Sequence, residues 1–131
     1  LREMLSAFYE NEPRIFIDTN PDPYYCFLFG KVCLFYHHGH KKNVGNISST
    51  FVGKFKKEFG DSEYVYGHLG HLHHIQKENN LMVLEQHRTL AARDAYTGRA
   101  GYLSGRDSKV ITYHKYFGEV GRQTININML N

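Results

Sequence analysis

The sequence predicts a mixed α/β domain rich in antiparallel strands. Three observations carry that reading. Two apolar, aromatic runs, Tyr24–Phe29 and Val32–His37, are separated only by Gly30-Lys31, the spacing of a tight hairpin. Ile47, Phe51, Val52, Phe55 and Phe59 recur at helical spacing, and Gly60 supplies a stop. Lys109–Lys115 and Arg122–Asn128 alternate in polarity about Gly118, as a closing hairpin would. The 131 residues suffice for one domain, 1–131, and not for two.

Each element follows from local chemistry. Met4, Leu5 and Phe8 share a helical face, so Leu1–Tyr9 is expected as a helix that Asn11-Glu12-Pro13 ends. Arg14–Asp18 reads as a short strand, followed by a loop with Pro21 and Pro23. In the 24–37 hairpin, Gly30 takes the first central position of a type II′ turn. Both of its strands are apolar on both faces, as in the interior of a layered sheet. Ser48 or Ser49 is expected to cap the next helix, which runs to about Phe59. Tyr64–Tyr66 is a further strand leading into Gly67–His74, and Leu81–Gln86 another. Residues 88–108, rich in Gly, Arg and Ala, read as an irregular excursion with a short helix. The first residue is Leu, so the chain reads as a fragment or a processed product whose opening helix enters from something upstream.

Composition excludes several classes. With 41% hydrophobic and 22% charged residues, the chain can bury a core and is not expected to be disordered. No apolar run reaches the length of a membrane span, and no signal peptide opens the chain. The net charge of +3 is too small to imply nucleic-acid binding without a patch. The hairpin register sets Leu28 opposite Cys33 and Cys26 opposite Phe35. The two cysteines then lie diagonally on one face, roughly 7–8 Å apart, too far for a disulfide. They read as thiols of a reducing compartment, which places the chain in a cytoplasm.

Seven of the nine histidines fall between His37 and His74. The run Val32–Tyr36 delivers His37-His38-Gly39-His40 at its carboxyl end, and Tyr64–Tyr66 leads into Gly67-His68-Leu69-Gly70-His71-Leu72-His73-His74. Ligand sites of α/β sheets favour the carboxyl ends of strands. If the two ends are neighbours, several imidazoles converge, each a neutral donor for Zn, Mn, Fe or Ni. A single histidine in such a place is ordinarily a surface or core residue; two clusters, each after an apolar strand, favour ligands.

The segment Tyr36-His37-His38-Gly39-His40 resembles the Thr-His-Gly-His strand end of calcineurin-like metallophosphoesterases. Gly70-His71-Leu72-His73 matches their Gly-His-x-His signature, here too after a connecting helix and a strand. The chain as a whole is similar to the C-terminal half of such an enzyme, which implies half of a four-layer metallophosphoesterase sandwich. The resemblance implies that His38 and His71 hold one metal and His73 the other, with His40 near the substrate as a catalytic or supporting group. It implies a divalent transition metal, Mn2+ first, with Zn2+, Fe2+ or Ni2+ as others. His37, His68 and His74 receive no role and are expected to be structural or exposed.

The family's Asp-x-His, Gly-Asp-x-x-Asp and Gly-Asn-His motifs are not in this sequence. Gly60-Asp61-Ser62-Glu63 imitates the second for two residues only, Asp18-Thr19-Asn20 is not Asp-x-His, and Asn46 lacks the following His. Two dications roughly 3.5–4 Å apart repel each other, and a bridging carboxylate offsets that repulsion. Three imidazoles carry no such charge, so this chain by itself is expected to hold one metal ion at most. An upstream half, in the same polypeptide or another chain, is expected to complete the site.

Elsewhere, Arg88, Arg93, Arg99 and Arg106 could grip a phosphate or be solvated. Asp94 and His114 could orient a ligating histidine, though His114 in mid-strand reads more simply as a half-buried side chain. Lys54, Lys56 and Lys57 read as helix surface rather than a nucleic-acid groove. Three functions remain open: part of a hydrolase acting on a nucleotide or nucleic-acid phosphoester, a non-catalytic module that binds a protein partner or self-associates, and a mononuclear Zn module built on His38, His71 and His73.

Overall fold

The computed structural model describes residues 1–39, 44–70, 76–78, 80–88, 90 and 106–130, with side chains at all of these except 44–45 and 76–78. A helix, α1 (Arg2–Phe8), opens the chain. Then come strands β1 (Tyr24–Phe29) and β2 (Val32–His37), helices α2 (Val44–Lys54) and α3 (Lys56–Gly60), and strand β3 (Tyr64–Leu69). Strands β4 (Gln76–Glu78), β5 (Val83–Gln86), β6 (Asp107–His114) and β7 (Gly118–Asn126) complete it, with a closing 3₁₀ turn at Ile127–Leu130. The architecture is mixed α/β: a five-stranded sheet ordered β1-β2-β3-β5-β4, with β6 and β7 as a separate two-stranded sheet. Strands β2, β3 and β5 run parallel, while β1 and β4 lie antiparallel at the edges. No helix among the described residues is long and apolar enough to cross a membrane.

The hairpin forms in the expected register, with Phe29 opposite Val32 across Gly30-Lys31 and Gly30 at φ 61°. Only glycine adopts that φ without strain, and here the backbone is also crowded: a Cβ would sit 2.5 Å from the carbonyl oxygen of Lys115. Alternation along the strands then sorts side chains to two faces. Cys33 and Phe35 of β2 pack with Ile47 and Phe51 of α2, together with Leu69 of β3 and Leu84 of β5. Phe35 and Phe51 stack with ring centroids 4.8 Å apart, and Tyr24 meets Phe51 edge-on. Burying such rings is the main source of stability for this layer.

The β6–β7 hairpin covers the opposite face. Tyr66 and Tyr113 rings lie 4.9 Å apart, and the Glu119 N–H donates to Tyr66 Oη at 2.9 Å. Glu85, a buried carboxylate on β5, pairs with Lys109 of β6 and accepts from Arg122 Nη1 of β7 at 2.6 and 2.8 Å. Helices, sheet and hairpin thus form three layers.

Several expectations need correction. Residues 14–18 form no strand, and Phe16 is exposed. The side chains of Asp18, Asn20 and Asp22 each accept the backbone N–H two residues on, at 2.8, 3.0 and 2.9 Å. These local bonds order the stretch from Asp18 to Tyr24, which lies beyond the expected strand. The second helix starts at Val44, before either expected serine cap, and Ser48 is buried inside it. Phe55 leaves helical geometry at φ −121° and ψ 52°, so the expected single helix is two, with Gly60 the last residue of α3. Strand β4 was not anticipated. The segment expected as an irregular excursion lies mostly outside the described residues.

Candidate functional site

The parallel pairing of β2 and β3 meets the condition that the two histidine-bearing strand ends be neighbours. Tyr36 stands opposite His68 and His37 opposite Leu69, and the Gly70 N–H reaches the His37 carbonyl at 3.3 Å. Just beyond, Gly39 adopts φ 88°, and a Cβ there would lie 2.5 Å from the Gly70 carbonyl oxygen. Glycine alone lets the two loops touch. A Cβ on Gly70 would in turn lie 3.8 Å from His38 Nδ1, so the His38 ring flanks this crossing. His38 is thus the one candidate ligand that the described residues place. His40, His71 and His73 lie outside them, as do His74, Asp94, Arg93 and Arg99.

Beneath the crossing, buried Gln86 donates from Nε2 to the Gly70 carbonyl at 3.1 Å. Among the described residues nothing donates to its Oε1. An unsatisfied acceptor at this depth is costly unless something else meets it. His37 turns the other way, under Tyr24, and its Nδ1 accepts the Gly39 N–H at 2.8 Å. It positions the loop that carries His38.

These strand ends open on a cleft of about 770 Å³ between the sheet and the β6–β7 hairpin. Tyr25, Tyr36, His38, His68, His87 and Arg88 are among the side chains on its wall. Tyr36 stacks on His68 at 5.5 Å. His68 is the hub of a chain of hydrogen bonds. Tyr113 Oη lies 2.8 Å from its Nε2, and its Nδ1 lies 2.8 Å from His87 Nε2. Burial, then the neighbouring His87, pushes the His68 imidazole down to about 4. At neutral pH it is therefore an uncharged ring that accepts at one nitrogen and donates at the other. Burial likewise raises the Tyr113 phenol above its ordinary range. The phenol and the two imidazoles form a continuous chain of hydrogen bonds along the cleft wall.

The sequence alone assigns His68 a structural or exposed place and gives His87 and Tyr113 no role. One signal was available: His68 lies on the same strand face as Tyr66, the face that an aromatic hairpin would cover. Arg88 lines the cleft and donates from Nη1 to the buried Asp107 carboxylate at 2.8 Å. Arg106 donates to the Leu90 carbonyl. His114 is the last residue of β6 and exposed, its ring 4.6 Å from that of Phe117. That turn docks at Gly30-Lys31, the opposite end of β2 from His38, so His114 does not orient a ligand there. Lys54 pairs with Asp22 and Lys57 with Asp61 at 2.7 Å, as expected of helix surface.

No group of three or more His, Cys, Asp or Glu side chains among the described residues could hold a metal ion. What they contribute is one donor, His38, beside two glycines and an unsatisfied amide oxygen. One imidazole is a small part of a metal's shell, so the described residues by themselves do not make up a metal site. Comparison with family models, with curated proteins and with solved structures gave no match.

Proposed function

We propose that this chain is the C-terminal, ligand-bearing part of a metal-dependent phosphoesterase of the calcineurin-like kind, acting on a nucleotide or nucleic-acid phosphoester. The observation that carries the reading is the in-register parallel pairing of β2 and β3, which joins His38 to the start of Gly70-His71-Leu72-His73 at the mouth of a cleft. In this reading His38, His71 and His73 are the metal ligands and His40 stands beside the substrate. The three layers described correspond to part of a four-layer sandwich. The acidic ligands come from another segment or chain. When bound, divalent ions such as Mn2+ neutralise the phosphoryl oxygens and supply hydroxide at neutral pH.

The chain's own groups do the rest. Arg88, braced by Asp107, brings positive charge to the cleft for the phosphoryl group. Tyr25 and Tyr36 give its wall the aromatic surface on which a nucleobase stacks. The Tyr113–His68–His87 chain moves a proton along that wall.

The test is hydrolysis of bis(p-nitrophenyl) phosphate with Mn2+, by this chain together with the segment that supplies the carboxylates. His38→Ala is expected to lower the rate more than about a hundredfold, beyond the cost of removing a supporting group around a metal. No Mn2+-stimulated turnover from the combined parts refutes the proposal. A non-catalytic interaction module is favoured instead by exposed Phe27 and Phe29 on the edge strand β1, their rings parallel at 6.3 Å. Metal stoichiometry separates the readings: two ions with the added segment for the phosphoesterase, one for a Zn module, none for the interaction module.

A further inference from the structure

The two cysteines lie outside the cleft, on the helix-facing side of the sheet. Their register is the diagonal one expected, Cys26 opposite Phe35 and Leu28 opposite Cys33. The side chains nevertheless lean together, and the sulfurs are 3.3 Å apart, far closer than the roughly 7–8 Å between diagonal backbone positions suggests. Both thiols are free, as expected, but the side chains bring the sulfurs much closer than backbone spacing alone suggests. We propose that Cys26 and Cys33 form a site of reversible oxidation by hydroperoxides, which closes a disulfide between β1 and β2.

The surroundings divide the work between the two thiols. Strand β1 is a sheet edge, so Cys26 is half-buried and within reach of a small oxidant, while Cys33 is fully buried between sheet and helices. A hydrogen bond from Cys33 holds the Cys26 thiol below its ordinary value and raises that of Cys33, which burial raises further. The exposed sulfur is therefore the better nucleophile and the buried one the resolving thiol. In the first step the Cys26 thiolate attacks the outer oxygen of ROOH. The O–O bond breaks, Cys26 becomes a sulfenic acid, and RO⁻ leaves as ROH with the thiol's proton. In the second, Cys33 sulfur attacks Cys26 Sγ; the S–O bond breaks and water leaves with the Cys33 proton. Two thiols and one hydroperoxide give one disulfide, one alcohol and one water. The sulfurs need only close from 3.3 Å to the roughly 2.05 Å of a bond. These are the sequence's only two cysteines, so no third thiol competes within the chain.

The test treats the reduced chain with a small excess of hydrogen peroxide, blocks remaining thiols with N-ethylmaleimide, and measures intact mass. The expected product is a monomer lighter by two hydrogens that takes no maleimide, with tryptic fragments 15–31 and 32–41 joined. Dithiothreitol should restore both alkylation sites. Closure should be at least about tenfold faster in the folded chain than in urea, because the fold holds the sulfurs together. Cys33→Ser should stop at a sulfenic acid on Cys26 that dimedone captures; if that variant does not fold, the folded-against-urea comparison on the native sequence decides. Two maleimides after peroxide, an over-oxidised Cys26 beside an alkylated Cys33, a disulfide-linked dimer, or equal rates in urea would each overturn the proposal.

Discussion

Replacing Glu85 with alanine tests how the hairpin is held on the sheet. The Glu85 side chain is 2% exposed and is shared by Lys109, 9% exposed, and Arg122, 27% exposed. Glu85→Ala takes a buried carboxylate from the Lys109 ammonium and removes one of two carboxylates from the guanidinium. Breaking a buried ion pair from one side costs about 3–5 kcal/mol. Arg122 keeps a bidentate grip on Glu119, at 2.8 and 2.9 Å, and is partly solvated, so the low end, about 3 kcal/mol, is expected. For a domain of this size that lowers the melting temperature on the order of 10 °C. Urea unfolding followed by circular dichroism measures it.

The same site sets an acid limit. Burial alone would raise the Glu85 carboxyl, but hydrogen bonds from Lys109 and Arg122 outweigh burial and hold it below the ordinary glutamate value. The unfolded chain then binds the proton first, so this contribution is present above the ordinary value of about 4.3 and is lost as pH falls through the lowered folded value. Glu85→Ala should flatten that part of the stability profile. Replacing all three residues with apolar ones, Glu85→Leu with Lys109→Met and Arg122→Leu, should recover most of the loss, since it removes the buried charges together with their desolvation cost. A Glu85→Ala protein within about 1 kcal/mol of the native chain would refute the reasoning.

Two further outcomes follow from the strand ends and the cleft. Gly39→Ala forces a Cβ at φ 88° against the Gly70 carbonyl, and should cost about 2 kcal/mol or more in urea unfolding; a neutral result would mean that the loops do not cross there. His68, held near 4, should titrate far below the ordinary imidazole value of about 6.5 in a histidine NMR titration. The unfolded chain binds this proton first, so stability should fall as pH drops from about 6.5 toward 4. His87→Ala should raise the midpoint, and a native midpoint near 6.5 would contradict the assignment.

The hairpin register was legible because its loop is two residues long and the pairing leaves little freedom. The stripe Ile47–Phe51–Phe55 was legible because helical spacing needs no knowledge of what it packs against. Helix boundaries were less so: Ser48 looks like a cap, yet it is buried inside α2. The expected strand at 14–18 had adequate composition, but the structure has a turn at residues 13–14, with Arg14 bonded back to Glu12, and no strand before β1. The Tyr113–His68–His87 chain joins residues up to 45 positions apart through the docking of a hairpin, which no local pattern encodes. Glu85 carried a faint signal, a carboxylate within the strand Val83–Gln86, but its partners lie on two later strands. The sulfur approach of Cys26 and Cys33 depends on rotamers rather than register, so register alone misjudged it.

The proposed metal site at the carboxyl ends of β2 and β3 can be tested directly by adding substoichiometric Mn2+ to the ¹⁵N-labelled chain and following paramagnetic broadening. Amides of His38, Gly39 and Gly70 should fade first while those of Lys31 and Tyr116, at the far end of the sheet, stay sharp, and His38→Ala should abolish the selectivity. Broadening centred elsewhere, or unchanged in His38→Ala, would contradict a metal site there.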